Sequence, residues 1–252
     1  MRRPATSPRE PGAYRGRLPP LAPYTRALLE HHAGAAAGEL RLRSSLGEDE
    51  ALPVEFFFRR EGAMLDFERY ALDLCRGRVL DLGAGAGPHT LALQAKGRRV
   101  VAVEGSSGLA GLLKARGAAS VVCADFRYWS RPGFDTVLML MNGLGPVGTL
   151  PGLHGFLAHA RRFLAPGGQL LVDGAEAARG APREATPWPP AGDYVGHAWI
   201  ELSYAGLVGQ PYRELYVDLE TLARAAATER WRCEVAFEGA DGAYLVRLTT
   251  RG

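Results

Sequence analysis

The sequence predicts an α/β protein built on a doubly wound, mostly parallel sheet, and three observations carry that expectation. From residue 78 onward, short apolar runs at 79–82, 100–103, 121–123, 136–140 and 170–172 alternate with helical spacing at about 88–96, 106–116 and 151–164. Strands that are apolar throughout are buried on both faces, the mark of a parallel sheet with helices on each side. A glycine-rich turn, Gly83-x-Gly85-x-Gly87, follows the first run, and Pro88 sits at the first-turn position that proline favours in a helix. Finally, 47% hydrophobic and 23% charged residues over 252 positions are ordinary globular values, enough for a sizeable core.

The elements follow in order. Residues 1–20 hold five Arg and one Glu, so they carry +4 of the net charge of +3 and leave the rest of the chain at −1. Residues 1–23 are therefore expected to be a disordered basic arm, and a body without basic excess argues against nucleic acid as a partner. Residues 24–64 are expected to be a helical extension or lid, with helix-like spacing of Leu28, Leu29, Leu40 and Leu42. In 55–77, Phe56, Phe57, Met64, Phe67, Tyr70, Ala71 and Leu74 suit an amphipathic helix closed by Gly77. The run Phe56-Phe57-Phe58-Arg59 either closes a ligand pocket or seals the domain.

Residues 65–252 read as one domain, in which the alternating rhythm breaks after Asp173. A Pro/Gly/Ala-rich loop at 174–193 leads to 194–204 and 212–218, which alternate like an antiparallel pair, so 174–217 is an insertion. Asp218 is a suitable N-cap for a helix, and a hairpin over 233–250 turns at Asp241-Gly242. No apolar stretch approaches the roughly 18–20 residues that cross a bilayer. The N-terminus has no apolar segment of the secretory kind. Cys75, Cys123 and Cys233 are dispersed and have no His cluster beside them, which argues against disulfides and zinc and for a reducing cytoplasm.

The chemistry is concentrated after the first strand. Glycines there admit positive φ and let a ligand approach the backbone, while the following helix start offers free N–H groups and a positive dipole end. Glu104 closes the second strand, where a carboxylate can accept two ribose hydroxyls and so hold an adenosine-containing ligand.

These features resemble the class I S-adenosylmethionine-dependent methyltransferases. The matching pieces are Asp81-x-Gly83-x-Gly85-x-Gly87, Glu104-Gly105-Ser106, Ala124-Asp125-Phe126, the run Phe134-Asp135-Thr136-Val137-Leu138, and Leu164-Ala165-Pro166-Gly167-Gly168. The resemblance covers about residues 65–173. It implies a Rossmann-like seven-stranded sheet with an antiparallel last strand, S-adenosylmethionine as cofactor and S-adenosylhomocysteine as product. It also implies that Asp81 and Gly83 meet the methionine end, that Glu104 binds the ribose diol, and that Asp125 accepts from the adenine amino group beside Phe126. Met141 and Asn142 then line the floor near the sulfonium. A nicotinamide-dependent dehydrogenase also uses a glycine turn and an acid, but here the third glycine falls one position early and Asp81 is a poor neighbour for a pyrophosphate.

Methyl transfer needs positioning above all, and a base only for an acceptor protonated at working pH. The candidates for a catalytic side chain are His31, His32, Tyr128 and Asn142, while His89 reads as a helix-start residue and His154 and His159 as surface. No Asp/Asn-Pro-Pro-Tyr run follows the fourth strand, no Pro-Cys pair exists, and Asn142 alone makes no metal site. Trp188, Tyr194, Trp199, Tyr204, Tyr212 and Tyr216 in the insertion either form a lid for a flat acceptor or pack the insertion onto the sheet. The expected activity is methylation of a small molecule at O, N or C, as in secondary metabolism. The alternatives are an RNA, protein or peptide acceptor guided by the basic arm, or a cofactor-binding protein without catalysis. Monomer and dimer are both left open.

Overall fold

The alternation of apolar strands and helices produces the sheet that it predicts. In the computed structural model, residues 17–35, 38–47, 49–175, 194–239 and 242–250 are described. Helix α1 (Ala22–His32) and strands β1 (Leu40–Ser44) and β2 (Asp49–Leu52) come before α2 (Asp66–Leu74). Next come β3 (Arg78–Leu82), α3 (Pro88–Ala95), β4 (Arg99–Glu104), α4 (Ser107–Ala115), β5 (Val121–Cys123), β6 (Phe134–Met139), α5 (Leu150–Ala160) and β7 (Leu164–Ala175). The chain continues through β8 (His197–Tyr204), β9 (Leu207–Val208), β10 (Tyr212–Leu215), α6 (Leu219–Thr228), β11 (Trp231–Glu238) and β12 (Ala243–Thr250).

The main sheet has seven strands in the order β11-β12-β7-β6-β3-β4-β5. Strands β3 to β7 are mutually parallel, and β12, the last strand, runs antiparallel to both β7 and β11. Successive residues of each central strand face opposite cores, as a period of two requires. Leu80, Val137 and Leu170 join the side packed by α5 and α6, while Val79, Leu138 and Leu171 join the side packed by α2 and α3. Parallel strands end along one edge, so Leu82, Glu104, Cys123 and Met139 share a rim with the loops that follow them.

Two expectations need correction. The 24–64 extension is only partly helical: α1 is followed by β1 and β2, and β1 pairs with both β2 and the inserted β8 in a second sheet ordered β10-β8-β1-β2. The Leu40-Arg41-Leu42-Arg43 alternation is a strand pattern, but its partner lies far along the chain. The single helix expected over 55–77 is instead a 3₁₀ turn at Val54–Phe58, another at Glu61–Ala63, and α2. Glu68 folds back to accept from the Leu65 N–H at 2.8 Å and binds Arg59, and this fixes the chain before α2 in an extended form.

The expected arm also gives way to structure earlier than residue 23. Arg17 pairs with Glu201, and Leu18 bridges to Gly209 before α1 begins. Residues 1–16, the 176–193 loop with Trp188, and Asp241 of the hairpin turn lie outside the described residues. Among the described residues, no helix is long and apolar enough to cross a membrane.

Trp231 locks the strand-to-helix packing at the end of the sheet. Its ring is fully buried, and its Nε1–H donates to the Leu157 carbonyl at 3.0 Å. Trp231→Ala should destabilise the fold by about 3–5 kcal/mol, read as a lower midpoint in urea unfolding; a loss under 1 kcal/mol would contradict this packing.

Candidate active site

The rim is built first from the turn after β3. Gly83, Gly85 and Gly87 have φ of 73°, 56° and 87°, a region in which a side chain is strained. A Cβ on Gly83 would meet nothing within 4 Å, so the turn leaves open space at the strand end. A Cβ on Gly87 would strike Leu113, which shows the close packing of α3 on α4. Asp81 is buried beneath the turn and accepts from the Thr90 hydroxyl of α3; burial raises its carboxyl above the usual carboxylate range.

Glu104 is placed to work outward. Its Oε2 accepts from the Gly85 N–H at 2.9 Å and its Oε1 from the Ser106 N–H at 2.8 Å. Burial raises its carboxyl, while these N–H groups favour the anion. One N–H on each oxygen leaves acceptor capacity on both, as a diol needs. Gly105 follows, and Ser106 caps α4 by accepting from the Leu109 N–H. The next strand end carries Asp125, whose side chain caps a 3₁₀ turn at Phe126–Tyr128 and is gripped by Arg127 through contacts of 2.6 and 3.0 Å. Hydrogen bonding from Arg127 holds its carboxyl below the usual range. Phe126 packs edge-on against Phe156 at 5.7 Å, so its ring is at least partly core.

The loop after β6 is the most constrained part of the rim. Met141 and Asn142 are consecutive non-glycine residues with positive φ, 70° and 54°. Such backbone costs about 1–3 kcal/mol per residue and persists only where surroundings impose it. Asp173, at the end of β7, imposes it: its two oxygens accept from the Asn142 and Gly143 N–H groups, both at 3.1 Å. Asn142 Nδ2 donates to Glu214 of β10 at 3.3 Å, while its Oδ1 is buried and has no partner.

A buried polar cluster lies alongside. Glu68, fully buried, accepts from Arg59 through a two-pronged contact and meets His89 Nε2 at 2.5 Å. Burial alone would raise the Glu68 carboxyl, but the hydrogen bonds from His89 and Arg59 hold it down to about 2. Arg59 also donates to Met141 Sδ at 2.9 Å, which ties the 54–65 segment to the floor of the rim.

Other candidates fall elsewhere. His31 and His32 pack on Phe58, with ring centroids 4.6 and 6.4 Å away, and they lie about 10 Å along α1 from Tyr24. His31 lines a separate surface cavity of about 400 Å³ with Glu39 and Glu55. Tyr128 is 82% exposed, and His154 meets Glu229 at 2.8 Å on the α5–α6 side. Within the insertion, Tyr204 hydrogen-bonds Glu30 and Tyr194 hydrogen-bonds Asp218, so both pack the fold, while Trp199 takes Arg213 over its ring on the other face of the second sheet. Among the described residues, no group of three or more His, Cys, Asp or Glu is placed to hold a metal ion.

Reading the sequence alone missed Arg59 and Glu68 as a pair, Tyr24, Asp173 and Glu214. Asp173 had a signal, an acid closing an apolar strand. Tyr24 and Glu214 had none, because only the packing of α1 and the second sheet brings them to the rim. Tyr24 of α1 sits above the turn, its hydroxyl 3.5 Å from where a Gly85 Cβ would be. Burial first, and then the charge of Glu104, raise its phenol.

Asp173 gives a pH signature. Burial lifts its carboxyl from 3.8 to about 6 despite the N–H groups facing it. A folded value above the ordinary one means that the folded chain binds this proton more readily. Its contribution to stability therefore falls as pH rises from 3.8 to about 6 and is level above that. The amide resonances of Asn142 and Gly143 should titrate together with a midpoint near 6; a midpoint near 3.8 would show a solvated carboxylate.

Comparison with known proteins accords with this rim. Residues 79–168 match the family model described as a methyltransferase domain. A crystal structure of an S-adenosylmethionine-dependent methyltransferase from Bacteroides fragilis, in complex with S-adenosylhomocysteine, is similar at 31% identity. The match covers 93% of this chain and 98% of that one, with a TM-score of 0.80. The CcbJ methyltransferase of Streptomyces caelestis shares the fold at 17% identity, over 77% of this chain and 93% of its own, with a TM-score of 0.60. The glycopeptide N-methyltransferase MtfA in complex with S-adenosylmethionine does so at 18% identity, over 74% and 86%, with a TM-score of 0.54. No curated protein matches the chain in sequence. With the rim geometry and a full-length relative in agreement, the chain belongs to the class I S-adenosylmethionine-dependent methyltransferases.

Proposed function

We propose that this methyltransferase acts on a small molecule of the secondary-metabolic kind, bound in a cleft between the strand ends and the roof formed by α1 and the second sheet. The observation that carries this reading is Tyr24 standing over the glycine turn beside Glu104, with α1 anchored to α4 by the Thr25 to Ser106 contact at 3.2 Å. A roofed cleft suits a compact acceptor better than a polymer. The reading of an RNA or peptide acceptor rested on the basic arm. Its last arginine, Arg17, is neutralised by Glu201, and no described feature favours that reading.

Bound S-adenosylmethionine supplies a methyl group already activated on a sulfonium. The open space at Gly83 and the spare acceptor capacity of Glu104 fit it. In this reading Glu104 holds the ribose diol. Asp125, both of whose oxygens accept from Arg127, offers a remaining lone pair to the adenine amino group, with Phe126 at the ring edge. Asp81, Gly83, Gly85 and Gly87 shape the methionine end, with Gly105 and Ser106 fixing the carboxylate of Glu104. Met141 and Asn142 form the floor. The roof excludes water and holds the acceptor in line, which is where most of the rate gain arises. The free, dispersed cysteines suit a cytoplasmic enzyme.

Calorimetry should show S-adenosylhomocysteine binding with Kd on the order of micromolar. Glu104→Ala removes two charge-assisted hydrogen bonds, worth about 1.5–3 kcal/mol each, and should weaken binding at least tenfold. No binding to the wild type would sink the reading, as would an unchanged Kd in the variant.

A further inference from the structure

The polar groups opposite the floor point to the acceptor's chemistry. On β10, Tyr212 and Glu214 share the face of the second sheet that carries Ile200 and Ala198, their register partners on β8. Tyr212 hydrogen-bonds Glu214 and lies within electrostatic reach of Tyr216 and Tyr24. Burial and the Glu214 charge raise its phenol well above the usual value, so it stays a donor to the carboxylate. An arc thus runs from Gly85 through Tyr24, Tyr212 and Glu214 to Asn142 and joins the two strand ends that the reaction must span.

The Asn142 amide is oriented without ambiguity, because a carboxylate only accepts and so Nδ2 must face Glu214. That leaves Oδ1 buried and unpartnered, which is unfavourable unless a donor arrives. The pair is also wedged in place: a Cβ on Gly145 would meet Asn142 Nδ2 at 2.5 Å and Glu214 Oε2 at 3.2 Å. The wall therefore presents an anion and an orphan acceptor side by side, rimmed by tyrosine rings.

We propose that Glu214 and Asn142 form an acceptor subsite for an amine, with Tyr212, Tyr216 and Tyr24 around it, so that the enzyme is an N-methyltransferase. This rests on the small-molecule reading above. A neutral amine donates one N–H to Asn142 Oδ1 and another to Glu214 and keeps its lone pair for the methyl. A hydroxyl has a single hydrogen and cannot satisfy both, and a carboxylate or phenolate would be repelled. The N–C bond forms as the S–C bond breaks with its electron pair passing to sulfur. The positive charge leaves the sulfonium and reappears on the methylammonium product, beside Glu214. An amine that arrives as its ammonium ion first gives one proton to water; the transfer itself then needs no base, and the product keeps its proton until released. Aromatic faces around the nitrogen add cation–π attraction to the charged product.

The test separates acceptor from cofactor. Wild type, Glu214→Gln and Asn142→Gly are first titrated with S-adenosylhomocysteine; glycine suits the φ of 54° at position 142. Each saturated complex is then titrated with benzylamine and benzyl alcohol, and with cyclohexylamine and cyclohexanol. The wild-type complex should bind each amine at least tenfold more tightly than its alcohol. Both variants should lose most of that preference, and Glu214→Gln, which lies outside the cofactor floor, should keep its S-adenosylhomocysteine Kd within about threefold. Labelled methyl should go to nitrogen in any amine that turns over. An intact cofactor Kd with no amine preference, including no binding of any probe, overturns the proposal, as does a preference that survives Glu214→Gln. Failure to bind S-adenosylhomocysteine overturns the reading beneath it instead.

Discussion

The buried carboxylate of Glu68 is the constraint on which the site depends. A carboxylate with no exposed surface is tolerable only if it is paired, and this one draws Arg59, His89 and the Leu65 N–H onto itself. Each partner comes from a different piece of the rim: the segment ahead of α2, the start of α3, and, through Arg59 and Met141, the loop after β6. Breaking such a pair from one side costs about 3–5 kcal/mol because the other charge is stranded. The sign of the effect follows from the depressed carboxyl: this stabilisation is complete above 4.5 and fades as pH falls towards 2. The electrostatic tie that holds the 54–65 segment in place therefore persists at any ordinary pH.

Above that fixed rim, the roof is made from two stretches separated by most of the chain. β1 and β2 come before the main sheet and β8 to β10 come after it, yet they share one sheet through the Leu40–Ser44 pairing with β8. On the proposed reading, this division of labour leaves acceptor specificity to segments outside the glycine turn. The strained Met141–Asn142 backbone is where the two parts meet, gripped by Asp173 from below and Glu214 from above. Strain of that kind concentrates where a side chain must point into a cleft against its local preference.

The core was legible because its signals are local. A short strand-like run, a glycine turn and a helix start each declare themselves within a dozen residues, and β3–α3–β4 with Asp81, Glu104 and the glycines follows directly. The roof was not legible, because Leu40-Arg41-Leu42-Arg43 becomes a strand only by meeting residues 200–204. The lost helix over 55–65 has a similar cause: its apolar spacing was real, but Glu68 turns back on Leu65 and outcompetes one more helical turn. His31 and His32 were plausible by position in a covering segment. Which face of α1 meets the rim is set by tertiary packing, and that packing places Tyr24 there and stacks the histidines on Phe58.

The charge of the cleft suits the chemistry in a way that no single residue conveys. Asp81, Glu104, Asp173 and Glu214 all bear on the rim, while the guanidinium of Arg59 is taken up by Glu68. Burial pushes Asp81, Glu104 and Asp173 towards protonation, so each would gain from a positive charge nearby. Transfer from a sulfonium to a neutral amine keeps one positive charge in the cleft throughout and merely moves it across the floor. Transfer to an anionic oxygen would start by bringing a negative charge among these carboxylates and end with no cation for them to hold. On the proposed reading, the carboxylates that hold the cofactor thus also bias the choice of acceptor towards an amine.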